Sequence, residues 1–145
     1  VRSYVVNLGE PDLFFFFFPL PDPEPTQRFR NAIGAARDVM PDVSIATLTT
    51  FLDVALHSAD EPPAKALAER SGIPYDRMMR HISVLAEGTR RVPGHELLVK
   101  AYDKKLRRHR IKVTPKGLEL LAQINAQIEN TASQATALAA AGDMA

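Results

Sequence analysis

The chain contains no cysteine and no tryptophan. Without thiols it can form neither disulfides nor thiolate metal sites, and cysteine-based redox sensing is excluded. Aromatics are scarce: seven Phe and three Tyr in 145 residues, with five of the phenylalanines in one run at 14–18. The core of the rest must therefore be aliphatic. No hydrophobic stretch approaches the ~20 residues of a membrane helix. The longest, 13–18, follows Glu10 and Asp12 rather than the basic flank of a secretion signal. Catalytic spacing is missing as well. His57, His81, His95 and His109 are scattered, with no HExxH, no glycine-rich phosphate loop and no GxSxG elbow. No enzyme activity, metal or cofactor is expected, and a cysteine-free chain fits a reducing cytoplasm.

Positive charge is absent from the last part of the chain, where no Lys or Arg follows Lys116. It is concentrated in the middle instead. Residues 62–117 carry fourteen Lys/Arg against five Asp/Glu, a formal +9, while 1–61 is −5 and 118–145 is −3. The net charge of +1 conceals this arrangement. A basic module between acidic flanks is the electrostatic footprint of a polyanion partner, most often nucleic acid.

Residues 1–25 form a compositionally separate head, with the phenylalanine run followed by Pro19, Pro21, Pro23 and Pro25. Alternate prolines remove amide donors and fix φ, so an extended, polyproline-like segment is expected. The domain proper is read as 26–145. Phe29, Ile33, Ala36 and Met40 recur at helical spacing over 27–40, with Thr26 as N-cap and Pro41 as stop. A second helix over 45–57, capped by Ser44, shows a broad apolar face.

The basic segment is the most readable. A short helix over 64–71 ends at Gly72, Ile73 plugs the turn, and Pro74 suits the start of the next helix. That helix, 75–87, buries Met78, Ile82 and Leu85 and ends at Gly88. Strands at 97–102 and 106–114 follow, with Asp103, Lys104 and Lys105 at the tip. From Pro115 a long helix runs towards Ala141. Leu121, Ile124, Ile128, Thr131, Ala135 and Leu138 form a heptad seam in it, which requires a partner.

A helix anchored through Met78, Ile82 and Leu85 presents its opposite face outward, and Asp76, Arg80 and Ser83 fall on that face. Arg80 can fork onto guanine N7 and O6, worth ~1–3 kcal/mol of discrimination. Asp76, one turn earlier, can orient Arg80 or accept from a cytosine amine; the alternative is a plain surface ion pair. In the hairpin Lys104, Lys105, Arg107, Arg108, Arg110 and Lys112 crowd together. Such cations contact phosphates, or enter a narrow minor groove from the tip.

These residues resemble the MarR-type winged helix-turn-helix transcription regulators. The resemblance covers a little over half of the chain. It is carried by Ala66-Leu67-Ala68-Glu69-Arg70-Ser71-Gly72-Ile73 and by Met78-Met79-Arg80-His81-Ile82-Ser83-Val84-Leu85. The stretch 103–113 and the closing Thr114-Pro115-Lys116-Gly117 complete it. The connection 88–96 is longer than is usual in that family. The resemblance implies an α+β, mostly α, winged helix-turn-helix with long N- and C-terminal dimerisation helices. It implies a cytoplasmic, nucleoid-associated homodimer on a partly palindromic double-stranded DNA site, with half-sites ~10 bp apart, and a repressor that answers to a small-molecule effector. Tyr75, Asp76, Arg77, Arg80 and Ser83 are the expected recognition-helix contacts. Lys104, Lys105, Arg107, Arg108 and Arg110 are the wing contacts. Phe29, Ile33, Leu121, Ile124, Ile128 and Leu138 are the dimerisation residues. The reading from another class is a protein-interaction adaptor that docks through the Phe/Pro-rich head.

Overall fold

The computed structural model describes the backbone of residues 3–7, 15–19 and 21–143, and the side chains of 21–129 and 139–142. The architecture is mixed α+β and mostly helical. In chain order the elements are β1 (Ser3–Asn7), β2 (Phe15–Pro19), α1 (Pro23–Val39) and α2 (Ile45–Leu56). A 3-10 turn (Ser58–Asp60), α3 (Ala64–Ser71), α4 (Tyr75–Leu85), β3 (Leu98–Asp103), β4 (Arg108–Val113) and α5 (Pro115–Asp143) follow. The strands form two separate antiparallel pairs, β1 with β2 and β3 with β4. No helix among the described residues is long and apolar enough to cross a membrane.

The head departs from the extended segment that its prolines suggest. Ser3 pairs with Pro19 and Asn7 with Phe15, so part of the phenylalanine run is a strand. Helix α1 then begins at Pro23, not near Gln27, and its N-cap is Asp22 rather than Thr26. The Asp22 carboxylate accepts from the Glu24 amide at 3.0 Å. Pro23 and Pro25 fit because the first-turn amides of a helix have no intrahelical acceptor, so a missing N–H there costs no hydrogen bond. The helix ends as expected ahead of Pro41, with the Met40 amide still reaching the Ala36 carbonyl.

Helix α2 lies at the centre. Ser44 caps it through the Thr47 amide (3.1 Å), and Phe51 and Val54 are completely buried. Around them close Met40, Leu67, Met78, Ile82, Leu85, Leu97, Ile111 and Leu120. Each such side chain stabilises by about 1.5–3 kcal/mol, against about 0–1 kcal/mol for an exposed ion pair. Aliphatic burial therefore holds the domain, as the composition requires.

The most extensive helix pairing is α1 along α5. It changes the reading of the α5 seam. Leu120, 2% exposed, and Ile124, 7% exposed, are buried inside the chain's own core, with Leu121 only partly covered. Ile124 is thus spent on intrachain packing. Ile128 is 44% exposed, and across from α5 helix α1 leaves Phe29 (68%) and Ile33 (37%) open. Thr131, Ala135 and Leu138 lie outside the residues whose side chains are described.

The start of α5 explains the Thr-Pro-Lys-Gly sequence. The Thr114 hydroxyl donates to the Glu96 carbonyl at 2.6 Å and accepts from the Gly117 amide at 3.1 Å, capping the helix. Pro115 occupies the first helical position. Gly117 passes so close to the Leu97 carbonyl that a Cβ would collide with it. This contact seats α5 against the foot of β3.

Candidate nucleic-acid interface

The turn between α3 and α4 is set by Gly72, in the left-handed region at φ 66°. The Ile73 amide closes back on the Ala68 carbonyl at 3.2 Å, and the Ile73 side chain packs on the core. Pro74 then leads into α4. Met78, Ile82 and Leu85 anchor that helix, all fully buried. Tyr75, Asp76, Arg77 and Arg80 are exposed. Among the described residues no side chain pairs with Asp76 or Arg80, so the two do not form the surface ion pair that their spacing permits.

Two links fix the pose of α4. The Thr47 hydroxyl, beside the Ser44 cap (2.9 Å), shares a hydrogen bond with His81 Nδ1 at 3.0 Å. Burial, with the Arg77 and Arg80 charges behind it, pushes the His81 pKa down and so disfavours the imidazolium. At the far end Lys100 of β3 donates to the Ser83 hydroxyl at 3.2 Å and pairs with Glu87. Burial is the largest single influence on Glu87 and works against its ionisation. The Lys100 hydrogen bond, a backbone hydrogen bond and the Lys100 charge together outweigh it, and the pKa falls below the usual range. Ser83 is therefore half-buried and tied to the hairpin, unlike its exposed neighbour Arg80.

Helix α4 stops at Leu85, two residues before the expected end. The chain turns at Ala86, and the Leu85 and Ala86 carbonyls accept from the Leu97 and Glu96 amides at 2.8 and 3.0 Å. These bonds bring β3 directly under the end of α4.

The hairpin register pairs Leu98 with Val113, Lys100 with Ile111 and Asp103 with Arg108. Its turn is the four residues 104–107, one residue further on than the expected tip. Asp103 builds it: Oδ1 accepts from the Lys105 and Leu106 amides at 2.9 and 3.2 Å. Arg107 takes the left-handed conformation, φ 48°, that returns the chain to β4. The bond from the Leu106 amide leads in holding the Asp103 carboxyl below its usual range, followed by the Lys105 amide and the Arg110 and Arg108 charges; burial opposes them.

The wing cations separate into two classes. Lys104, Lys105, Arg107 and Arg108 are exposed and unpaired among the described residues. Arg110 is not: its guanidinium meets Glu61 Oε2 and Asp103 Oδ2, each at 2.9 Å. Lys112 meets Glu61 Oε1 at 3.0 Å. Pro63 also pairs with Arg110 as a backbone bridge, so the segment before α3 lies along the edge of β4. The Lys112 hydrogen bond, then that of Arg110, holds the Glu61 carboxyl below the ordinary glutamate range. Arg110 thus braces the hairpin instead of presenting a free charge.

Sequence reasoning missed Glu61, Lys100 as a lock, and the edge-on pair of Tyr102 and His109 (ring centroids 5.2 Å). Strand register carries a signal for the last pair, since Tyr102 and His109 stand opposite one another on the face shared with Lys100 and Ile111. Nothing local marks Glu61.

Compared with known proteins, the chain matches no family model and no curated sequence.

Proposed function

We propose that this chain is a sequence-specific, double-stranded DNA-binding transcription regulator of the winged-helix type, working as a homodimeric repressor. The observation that carries the reading is α4: three fully buried anchors on one side, and on the other Arg77 and Arg80, exposed and without a carboxylate partner among the described residues. A hairpin with four further cations, unpaired among the described residues, stands next to it. On this reading α4 enters the major groove, Arg80 reads a guanine edge, and Lys104, Lys105, Arg107 and Arg108 hold phosphates. The open Phe29, Ile33 and Ile128 supply the dimer contact, which sets the distance between two α4 helices.

The effector part of the reading rests on a pocket of about 130 Å³ between α1 and α2. Ile33, Met40, Val43 and Leu48 line it with Arg37, a setting suited to a small apolar acid. A ligand there would shift α1 against α2 and so alter the spacing of the two α4 helices.

The test is fluorescence anisotropy of duplexes from the gene's own upstream region and of scrambled controls, at low and physiological salt. Tight, salt-steep binding that prefers the upstream duplex is expected, with the preference lost in Arg80→Ala. Absence of duplex binding at every salt concentration would refute the reading.

A further inference from the structure

We propose that the loop joining α4 to β3 is a third DNA-contacting element, which grips the sugar-phosphate backbone through Arg90 and Arg91. The proposal rests on the DNA-binding reading above and adds residues to it that neither the helix nor the hairpin supplies.

The loop is a built structure. Gly88, at φ 89°, and Gly94 approach backbone to backbone, so that a Cβ on either would run into the other's main chain. Gly88 and Pro93 pair as an isolated antiparallel bridge. Inside that bridge the Thr89 amide donates to the Val92 carbonyl at 2.8 Å. The Thr89 hydroxyl accepts from the Arg91 and Val92 amides at 3.4 and 3.2 Å. Its stem is equally tied: the Gly88 amide reaches the Ser83 carbonyl at 2.7 Å and the His95 amide reaches Val84 at 3.1 Å. A closed turn on a fixed stem holds its tip in a defined place.

That tip consists of Arg90, Arg91 and Val92, all exposed. Among the described residues neither arginine has an ion pair or a side-chain hydrogen bond. Arg110 and Lys112 show how this chain treats structural cations: each is given a carboxylate. Two adjacent guanidinium groups on a rigid mount repel one another and gain nothing from the fold. An external anion resolves that repulsion, and phosphate suits the guanidinium fork.

Position selects the anion. Helix α4, which carries Arg80 on its exposed side, ends at Leu85, and the loop follows directly after the turn at Ala86. The five residue steps of helix from Arg80 to Leu85 span about 7.5 Å, within the ~12 Å width of the major groove. With Arg80 on the groove floor, a loop at that offset meets the phosphates of the groove wall.

The experiment measures Kd of the full chain from about 50 to 200 mM salt, on upstream and scrambled duplexes. It compares wild type with the double variants Arg90→Gln/Arg91→Gln and Arg90→Lys/Arg91→Lys. Thermal unfolding of each variant should match wild type, since both side chains are exposed. The Gln pair removes four arginines from the dimer and is expected to lower the slope of log Kd against log salt by about 2–4. It should weaken both duplexes by the same factor, and the Lys pair should keep most of the slope. An unchanged slope in the Gln pair, with wild type binding normally, overturns the proposal. A loss of preference with no change in slope also overturns it, because that marks a base contact. If wild type binds neither duplex at low salt, the DNA reading itself has failed and this proposal falls with it.

Discussion

Glu61 and Arg110 meet at 2.9 Å beside the middle of the hairpin, where Pro63 and Arg110 also pair through their backbones. Because Arg110 holds Asp103 as well, one guanidinium connects the loop before α3 to the residue that shapes the hairpin turn. The direction in which the free cations point therefore depends on a carboxylate in another part of the chain.

This brace titrates. The Glu61 carboxyl has its pKa depressed in the folded chain, so its stabilisation is present above the unfolded pKa and is lost as pH falls through the lower folded value. Wild type is expected to lose thermal stability more steeply than Glu61→Gln below the ordinary glutamate range. The two melting profiles should run parallel from there to neutrality. Melting temperature recorded by circular dichroism from about pH 7 to pH 3 checks this; parallel profiles over the whole range would dismiss the brace.

The two classes of hairpin cation should differ in solution. Lys105→Ala or Arg107→Ala is expected to leave unfolding within about 0.5 kcal/mol of wild type while reducing the salt slope of DNA binding by about 2, one contact from each protomer. Arg110→Ala should instead speed amide exchange across β3 and β4, read by hydrogen–deuterium exchange. Equal exchange in all three variants would show that Arg110 braces nothing.

Ile82 sits fully buried in α4 against α2. Ile82→Ala is expected to destabilise the chain by about 2–5 kcal/mol through lost transfer energy and the cavity left behind. Urea unfolding at fixed m-value reads the change. A loss under 1 kcal/mol would mean that α4 is not anchored as described.

The open apolar residues of α1 and α5 predict an association that charge should break. Phe29→Glu combined with Ile128→Glu is expected to shift the sedimentation coefficient from dimer to monomer while preserving the helical spectrum. A wild-type chain that sediments as a monomer at micromolar concentration would remove the dimer from the proposed mechanism.

Most of the helical framework could be read from one dimension. The period of Met78, Ile82 and Leu85 is a local property of α4, and Gly72 and Ser44 announce their turn and cap through backbone chemistry within a few residues. The errors have a common origin. The extended reading of Pro23 and Pro25 holds for mid-chain prolines, whereas in the first turn of a helix a proline removes no bond. The α5 seam asks for a partner, yet Ile124 of that seam, with Leu120 beside it, is buried in the core of the same chain. The pattern shows that a face is apolar, not what covers it.

What the sequence by itself determined is the set of local decisions: the helix periods, the caps, the left-handed glycine turn and the concentration of positive charge between two acidic flanks. Only the tertiary structure decided which of those charges remain free. Among the described residues Arg80, Arg90 and Lys104 form no ion pair, while Arg110 is met by Glu61 from 49 residues away. Lys100 finds Ser83 and Glu87 only because β3 is drawn under the end of α4. A backbone propensity acts over a few bonds and is written in neighbouring residues. An ion pair depends on distance in space, which chain order leaves open until the core has closed.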